Sequence, residues 1–296
     1  MTTVVLSVTT EPIQFQELID RHEAILFDAY GVLVHAGGVI PGAAEAVRTL
    51  RHRDQPFLVV TNDASRSPER SAQRYRRLGL AIDVEQVLSC GMLIGPALER
   101  HGIAKGRVVV IGTPDSQHFA REVGAQVVAP SVAEPADAVV IADEGGALAL
   151  GILDDVLSMI LAACRAGHPP VLLLANPDLI YPAGGGTFGF TAGSIAGMIE
   201  RALELVLGSD APRFELLGKP AAWHFTMALD RIGTRNAVML GDTLHTDIAG
   251  AHGVGIASGL LLTGVTTAAQ LAAAQSAGHA AHLPTYLLHA LHEEPE

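Results

Sequence analysis

Residues Ala24–Leu33, A-I-L-F-D-A-Y-G-V-L, contain four apolar residues followed by Asp28 and, three positions later, Gly31. A short apolar run of this kind predicts a buried β-strand. In open α/β sheets, ligands bind beyond the carboxyl ends of the strands. The stretch therefore predicts a strand that carries the carboxylate of Asp28 to a ligand-binding edge. Tyr30 lies between this carboxylate and the glycine.

The composition is that of a folded, acidic protein. The chain has 296 residues, of which 49% are hydrophobic and 17% are charged, and its net charge is -12. This length predicts one large domain or two ordinary ones with ample core. The longest basic cluster is Arg74–Arg77, R-Y-R-R. Such a balance argues against nucleic acid as the main partner.

The cellular setting is predicted from the cysteines and from hydropathy. Cys90 and Cys164 lie far apart and lack the spacing of a metal site, so a reduced, cytoplasmic setting is expected. Residues 1–20 lack a basic start followed by an apolar core, which predicts no signal peptide. The longest uncharged stretch is interrupted by polar residues, so we expect no transmembrane helix and no membrane partner.

Predicted strands and helices alternate along the chain. Predicted strands after the first are Phe57–Val60, Val87–Ser89, Arg107–Gly112, Ala138–Ala142, Val171–Ala175, Phe214–Leu217, Ala237–Leu240, Ile256–Leu262 and His282–Leu283. Predicted helices are Phe15–His22, Ala43–Arg51, one starting at Ser67 and Pro68, Gly91–Arg100, Asp154–Arg165, Thr191–Leu207 and Ala222–Ile232. Two turn-rich segments, His35–Gly42 and Pro182–Gly189, are predicted loops.

This alternation predicts an α/β fold with a doubly wound, mostly parallel sheet. The block from about Gly102 to Pro212 contains its own strands and helices. We therefore predict a Rossmann-like core formed by residues 1–101 and 213–296, with a smaller α/β domain, residues 102–212, inserted into it.

Polar residues follow four of the predicted strands. They are Asp28, the pair Thr61 and Asn62, Lys219, and Asp242 with Asp247. If these strands share one sheet, the side chains converge on one edge. Each residue alone has an ordinary structural explanation, as a helix cap or as part of a turn. Only the complete set of these residues, in this order along the chain, is a specific signal.

Seven motifs together resemble one known family, the haloacid dehalogenase (HAD) superfamily of aspartate-nucleophile hydrolases. The subgroup with the large α/β cap, which includes 4-nitrophenylphosphatases and pyridoxal phosphate phosphatase, is the most similar. The resemblance covers nearly the whole chain. The motifs are F-D-A-Y-G-V-L at Phe27–Leu33, V-V-T-N-D-A-S-R-S at Val59–Ser67, A-N-P-D-L-I-Y-P at Ala175–Pro182, T-A-G-S-I at Thr191–Ile195, G-K-P at Gly218–Pro220, M-L-G-D-T-L-H-T-D-I at Met239–Ile248 and L-L-T-G-V-T-T at Leu261–Thr267.

The resemblance implies a phosphatase acting on a small phosphorylated substrate. Asp28 would attack phosphorus and form an aspartyl-phosphate. Thr61 would bind a phosphoryl oxygen, with help from backbone amides near Gly31 and Asn62. Lys219 would supply the fixed positive charge that lets two anions, the nucleophile and the phosphoryl group, approach each other.

The resemblance also implies Mg²⁺ as the cofactor. Asp28 and Asp242 would bind it through oxygen, with Asp247 in the outer coordination shell. The backbone carbonyl of Tyr30 would be a further ligand. Mg²⁺ prefers few carboxylates together with water and substrate phosphate, which this set of residues supplies.

The side chain of Tyr30 departs from the family pattern. Phosphatases of this family usually have an aspartate there, which protonates the leaving oxygen and then activates water. A phenol can donate a proton but is a poor base near neutral pH. We therefore expect a substrate with a good leaving group, a replacement acid–base group or low activity. His35 and Asp63 are the nearest replacements in sequence, although loop solvation and local capping also account for both.

Two alternatives to phosphatase chemistry stay open. Haloacid dehalogenases carry D-x-Y at this motif, because halide leaves without a proton. Asp242 and Asp247 argue against that reaction, which needs no metal. The spacing argues against it too: only 32 residues separate Asp28 from Thr61, whereas those dehalogenases carry a helical cap there. The other alternative is a non-catalytic protein that binds a ligand.

In this family the cap sets specificity. Asn176, Asp178 and Tyr181 lie in the segment most like its substrate-facing loop, and Asp143–Gly146 is another polar loop after a predicted strand. Ordinary turn chemistry also explains these residues, and it does so more readily for the others than for Asp178. Similar proteins form dimers through the cap, so a homodimer is a further expectation.

Overall fold

The computed structural model describes residues 10–146, 150–184 and 187–292. The chain divides into two compact units. In the described part, the first comprises residues 10–60, 74–86 and 225–292, and the second comprises residues 61–73 and the described residues of 87–224. The insert predicted at 102–212 falls inside the second unit, which extends beyond it on both sides.

Helices and strands alternate along much of the described chain, as the sequence predicts, but the helices Pro114–Glu122, Ala249–Val254 and Ala268–Ala277 were not predicted. The α-helices are α1 (Phe15–Arg21), α2 (Ala43–His52), α3 (Pro68–Arg77), α4 (Ile94–Arg100), α5 (Pro114–Glu122), α6 (Leu150–Arg165), α7 (Ala192–Leu207), α8 (Ala222–Ile232), α9 (Ala249–Val254) and α10 (Ala268–Ala277). The strands are β1 (Glu11–Pro12), β2 (Ala24–Phe27), β3 (Val34–His35), β4 (Gly38–Val39), β5 (Phe57–Thr61), β6 (Val87–Ser89), β7 (Arg107–Ile111), β8 (Gln126–Val127), β9 (Ala138–Ile141), β10 (Val171–Leu174), β11 (Ile180–Gly184), β12 (Thr187–Phe190), β13 (Glu215–Leu216), β14 (Ala237–Gly241), β15 (Ala257–Leu261) and β16 (Tyr286–Leu288).

The first unit is built on parallel strands in the order β1-β16-β15-β14-β2-β5. Every residue of β2 and of β14 is buried, as expected for strands covered on both faces. In the register of this pair, Leu240 lies opposite Phe27. Asp28 and Asp242 therefore leave the sheet at the same carboxyl edge. The predicted α/β class is confirmed.

The second unit contains a separate parallel sheet, in the order β13-β10-β9-β7-β8. Helices α6 and α7 pack on it through a buried apolar cluster that includes Val156, Met159, Ile160, Ile199 and Leu203. An antiparallel hairpin, β11 with β12, also belongs to this unit.

The four strands that precede the predicted site residues do not all belong to one sheet, contrary to what was assumed from the sequence. Strand β13, which precedes Lys219, pairs with β10 of the second unit's sheet and so belongs to a different sheet from the strands that carry Asp28 and Asp242. Its two residues are partly or fully exposed. A strand this short and this exposed has no buried apolar pattern, so its sequence contains no signal for the sheet that it joins.

Three local predictions also need correction. The described residues of Pro182–Gly189, a segment predicted as a loop, belong to the hairpin of β11 and β12, and His35–Gly42 begins with the small hairpin of β3 and β4. His282 ends a 3₁₀ turn, and the last described strand is β16. The side chains of β12 are largely exposed, so no alternation of apolar and polar residues marks that strand. No helix in the described ranges is long and apolar enough to cross a lipid bilayer.

Two glycines of α9 give a matched test of this packing. A Cβ at Gly250 would lie 2.1 Å from Cε2 of Phe225, which is fully buried, whereas a Cβ at Gly253 would meet nothing within 4 Å. We expect Gly250→Ala to lower the free energy of unfolding by about 1–3 kcal/mol through overpacking. Gly253→Ala should leave it unchanged or raise it by up to about 1 kcal/mol. Denaturant unfolding of both variants measures this, and equal effects would contradict the packing of α9 on α8.

Candidate functional site

Three carboxylates meet at the carboxyl edge of the first unit's sheet. Asp28 follows β2, Asp242 follows β14, and Asp247 lies in the π-helical turn Leu244–Ile248. One oxygen of each can be chosen so that all three lie within 4.8 Å of one another. Asp28 is 9% exposed, Asp242 3% and Asp247 1%. The structure thus brings together the three aspartates that the sequence singled out.

The π-helical turn fixes Asp247 against the residues that precede it. Its Oδ2 accepts the backbone N–H groups of Asp242 (3.2 Å) and Thr243 (3.1 Å). The hydroxyl of Thr243 donates to Oδ1 of Asp242 at 3.1 Å. A Cβ at Gly241 would lie 2.2 Å from Cβ of Asp247, so only glycine permits this approach. The G-D-T-L-H-T-D motif is therefore one hydrogen-bonded unit.

The L-L-T-G-V-T-T motif covers Asp242. The N–H of Val265 donates to Oδ2 of Asp242 at 2.6 Å, and a Cβ at Gly264 would lie 1.7 Å from the same oxygen. The hydroxyl of Thr263 donates to the carbonyl of Gly31. The sequence marked this motif as similar to the family but gave its residues no role. Their contacts show that it orients the carboxylate of Asp242.

Gly31 is needed both for its backbone conformation and for space. Its φ is +84°, and a Cβ there would lie 2.3 Å from Oδ2 of Asp242. Its N–H donates to the carbonyl of Val34 at 2.9 Å, so this amide is already used within the turn. The predicted help from amides near Gly31 stays a prediction.

The chemistry of this donor set fits a hard divalent cation. Carboxylate and carbonyl oxygens are the protein ligands of Mg²⁺, and the set contains no soft sulfur donor and no imidazole. Three carboxylates this close repel one another in a buried setting, and a bound cation offsets that repulsion. Asp28, Asp242 and Asp247, together with the carbonyl of Tyr30, stay the predicted ligands of Mg²⁺.

Arg74 is a neighbour of Tyr30 that the sequence did not reveal. Its Nη2 donates to the phenol oxygen at 2.9 Å, and its guanidinium lies 5.2 Å from the ring centre. The two residues are far apart in sequence, and R-Y-R-R resembles any exposed basic helix end. The phenol oxygen is thus an acceptor from a cation, while its own hydrogen points elsewhere.

In the second unit, the side chain of Asn62 fixes the backbone around Lys219. Its Oδ1 accepts the N–H of Lys219 at 2.8 Å, and its Nδ2 donates to the carbonyl of the same residue at 3.0 Å. Gly218 fits because a Cβ there would lie 2.5 Å from Oδ1 of Asn62. Lys219 is 2% exposed, and Thr61 is 3% exposed. Asn62 therefore has a structural task in addition to the predicted role of its amide.

The structure also brings Asn176 and Asp178 to Asn62. Oδ1 of Asp178 accepts from Nδ2 of Asn62 at 3.1 Å, and the N–H of Asp178 donates to Oδ1 of Asn176 at 3.0 Å. The hydroxyl of Thr191 and the N–H of Gly193 both donate to the carbonyl of Asp178. These bonds join A-N-P-D and T-A-G-S-I. The contact of Asn176 and Asp178 with substrate stays a prediction.

The two residues nearest in sequence as replacement acid–base groups make local turn contacts. Nδ1 of His35 accepts the N–H of Gly37 at 2.7 Å. The carboxylate of Asp63 accepts from the N–H of Ser65 and from Nη1 of Arg66, each at 2.8 Å. These contacts are those of ordinary loop capping.

Burial shifts several pKa values in the second unit. It raises the pKa of the Asp143 carboxyl, which accepts the N–H of Gly145, and it raises the pKa of Glu144. It also raises the pKa of the Cys90 thiol, whose Sγ donates to the carbonyl of Asn62. Burial, aided by the charge of Lys219, lowers the pKa of His224 to about 3. Cys90 is therefore a thiol and His224 a neutral imidazole near pH 7, so neither supplies charge to the site.

Two family models match the chain. Residues 25–126 match a model described as haloacid dehalogenase-like hydrolase, and residues 216–293 match one described as HAD-hydrolase-like. The first match includes Asp28 and Thr61, and the second includes Lys219, Asp242 and Asp247. Both confirm the resemblance read from the motifs.

Relatives and solved structures agree with these matches. The chain is 30% identical over 276 residues to D-glycerol 3-phosphate phosphatase of Mycobacterium tuberculosis, covering 93% of this chain and 72% of the relative. A crystal structure of a possible sugar phosphatase of the HAD superfamily from Cytophaga hutchinsonii is 28% identical, with a TM-score of 0.82 over 97% of this chain and 100% of that one. A glycerol phosphate phosphatase from M. tuberculosis, solved with magnesium, is 28% identical with a TM-score of 0.75, over 93% and 76% of the two chains. Together with the aspartate cluster, these matches establish that the chain belongs to the haloacid dehalogenase superfamily of hydrolases.

Proposed function

We propose that this chain is a Mg²⁺-dependent phosphatase that hydrolyses a small phosphorylated metabolite through an aspartyl-phosphate on Asp28. The observation that carries the proposal is the cluster of Asp28, Asp242 and Asp247, whose ligand oxygens lie within 4.8 Å of one another. The relatives named for phosphatase activity, one of them solved with magnesium, support the same reaction and the same cation.

Asp28 is the proposed nucleophile. An oxygen of its carboxylate forms a bond to phosphorus while the bond from phosphorus to the leaving oxygen breaks, and the leaving oxygen takes a proton. Water then attacks the aspartyl-phosphate, which releases inorganic phosphate and restores the carboxylate. The N–H of Asp28 donates to the carbonyl of Leu240 at 2.8 Å, which ties the nucleophile to the strand that carries Asp242.

The aspartate cluster is the proposed Mg²⁺ site. The ion would be held by Asp28, Asp242, Asp247 and the carbonyl of Tyr30, and when bound it supplies positive charge to the phosphoryl oxygens. Thr243, Gly264 and Val265 orient the carboxylates before any ion arrives. Such preorganisation lowers the cost of binding.

Thr61 and Lys219 are the proposed phosphoryl-binding groups of the second unit. Lys219 supplies a fixed cation and Thr61 a hydroxyl donor, both of which neutralise charge on a transferring phosphoryl group. The paired bonds between Asn62 and the backbone of Lys219 support this role. We propose that Asn176 and Asp178, also bonded to this network, contact the rest of the substrate.

Tyr30 is the proposed proton donor to the leaving oxygen. Its phenol oxygen accepts from Arg74, so its hydrogen is directed away from the guanidinium. The phenol remains a poor base for the water step. We therefore propose a substrate whose leaving oxygen needs little protonation, or slow turnover of alkyl phosphates.

Phosphate release should depend on both the metal and Asp28. On 4-nitrophenyl phosphate with Mg²⁺, we expect EDTA to abolish phosphate release and excess Mg²⁺ to restore it. Asp28→Asn should also abolish release, because an amide is not a nucleophile toward phosphorus. Asp230→Asn, on the exposed surface of α8, is the matched control and should retain full activity. A phosphate-release assay measures all four conditions.

The same preparations should be tested for halide release from a 2-haloacid. Halide release that persists in EDTA, without any phosphate release, would overturn the phosphatase proposal in favour of dehalogenase chemistry. Activity on neither substrate class across a panel of small phosphate monoesters would contradict catalysis and favour a ligand-binding protein.

Tyr30→Asp should raise the turnover of alkyl phosphates. An aspartate supplies both the acid and the base, and such catalysis contributes about 10²–10⁴-fold. Tyr30→Phe removes only the hydroxyl and keeps the ring beside Arg74, so it should show no rise. Its loss should be larger for an alkyl phosphate than for 4-nitrophenyl phosphate. If Tyr30→Asp lowers kcat as much as Tyr30→Phe does, the account of Tyr30 as a weakened acid–base group is wrong.

We propose that two copies of the chain associate through the hairpin of β11 and β12. This hairpin and the residue before it expose Leu179 (62%), Tyr181 (39%), Phe188 (58%) and Phe190 (75%). A run of exposed aromatic and aliphatic side chains is typical of a protein–protein contact.

Phe190→Ser should convert a dimer into a monomer in analytical ultracentrifugation. Leu205→Ser is the control, because Leu205 is 84% exposed near the end of α7 and outside the hairpin. A wild-type monomer, or dissociation caused by the control variant alone, would contradict the hairpin interface.

A further inference from the structure

Three histidines of the first unit cluster outside the aspartate site. His245 lies in the π-helical turn Leu244–Ile248, while His279 and His282 lie at the two ends of the 3₁₀ turn that follows α10. The ring centres of His245 and His282 are 4.6 Å apart, and those of His279 and His282 are 5.9 Å apart. His282 therefore has an imidazole neighbour on a separate segment and another on its own.

The apolar core holds the two histidine-bearing segments together. Leu244 and Ile248 of the π-helical turn pack with Leu271 of α10 in one buried cluster. Gly278, with φ +67°, ends α10 and turns the chain back toward His279. The N–H of His282 then donates to the carbonyl of His279 at 2.8 Å. Packing and backbone bonds thus place the backbone of the three histidines, with no ion required.

The state of the rings suits metal binding. His245 and His279 are exposed and His282 is half-buried, so an ion can reach them from solvent. Burial and the two neighbouring histidines lower the pKa of His282. A neutral imidazole carries one nitrogen lone pair, which is the form that binds transition metals.

We propose that His245, His279 and His282 form a binding site for a divalent transition metal such as Zn²⁺. With Zn–N bonds of about 2.0–2.1 Å, two imidazoles on one tetrahedral ion have ring centres roughly 5 Å apart. The observed 4.6 and 5.9 Å lie on either side of that value.

The imidazoles must turn to share one ion. In the described ranges, the aspartate cluster is the group whose ligand atoms already lie within 4.8 Å of one another. Rotation about the Cβ–Cγ bond of an exposed histidine crosses a broad, shallow torsional profile, so this adjustment is small. The backbone therefore already brings the three histidines together, and rotation of their side chains completes the site.

The two sites differ in the cations that they favour. Imidazole nitrogens select zinc, nickel, cobalt and copper, whereas carboxylate and carbonyl oxygens select magnesium. His245 and Asp247 belong to the same turn. An ion at the histidines would join the end of α10 to the turn that presents Asp247, which makes the histidine site a candidate regulator of the aspartate site.

Competition with a chromogenic chelator tests the proposal by measuring Zn²⁺ affinity in excess Mg²⁺. The wild-type chain should bind one equivalent. His282→Gln should weaken binding by more than about tenfold, since even groups outside the ligand set change metal affinity by that much. His245→Gln should act likewise, while His168→Gln, on an exposed position of the second unit, should have no effect. Thermal unfolding of each metal-free variant confirms that it is folded.

Visible absorption after Co²⁺ addition provides a second readout, because nitrogen ligation intensifies the Co²⁺ absorption bands. Loss of these bands in His282→Gln would place the ion at the histidines. Equal Zn²⁺ affinity in the wild type and in both histidine variants would overturn the proposal. So would loss of Zn²⁺ binding in Asp242→Asn together with its retention in His282→Gln. Neither readout uses phosphate release, so failure here leaves the proposed phosphatase activity untouched.

Discussion

The convergence of three buried carboxylates is the constraint on which the first unit's site depends. Asp28, Asp242 and Asp247 are each under 10% exposed, and their ligand oxygens lie within 4.8 Å of one another. Like charges this close oppose folding unless a cation or hydrogen-bond donors compensate. The chain supplies donors from the backbone of Thr243 and Val265. The cluster is thus stabilised in one geometry, and a divalent cation bound there would complete its charge balance.

Small residues allow this geometry at the positions where the backbone approaches the carboxylates. A side chain at Gly31 or Gly264 would overlap Asp242, and one at Gly241 would overlap Asp247. Gly218 has a comparable place beside Asn62 in the second unit, where the asparagine amide fixes the backbone of Lys219. In both units a charged residue is held in place in the same way. A glycine leaves room beside it, and a neighbouring side chain bonds to the backbone. This support explains why family motifs extend beyond the residues with chemical roles.

The sequence predicted the fold class from local patterns, and it predicted the aspartate cluster from the strand ends together with the resemblance to the family. Buried parallel strands are continuous apolar runs, and Asp28 and Asp242 directly follow two of them. It did not predict the partner of β13 or the β11–β12 hairpin, whose exposed residues lack a periodic pattern. Nor did it predict the bond from Arg74 to Tyr30, since nothing local in the sequence encodes a contact between a strand end and a distant helix. Long-range contacts between polar side chains therefore could not be predicted from local patterns in the sequence.

The Mg²⁺ dependence of thermal unfolding shows whether the aspartate cluster binds the metal. A ligand that binds only the folded state raises the unfolding temperature as its concentration passes its Kd. We expect Mg²⁺ to raise the unfolding temperature of the wild type, and we expect Asp28→Asn to need at least about tenfold more Mg²⁺ for the same rise. If the unfolding temperature has the same Mg²⁺ dependence in both proteins, or none in the wild type, metal binding at the aspartate cluster is contradicted.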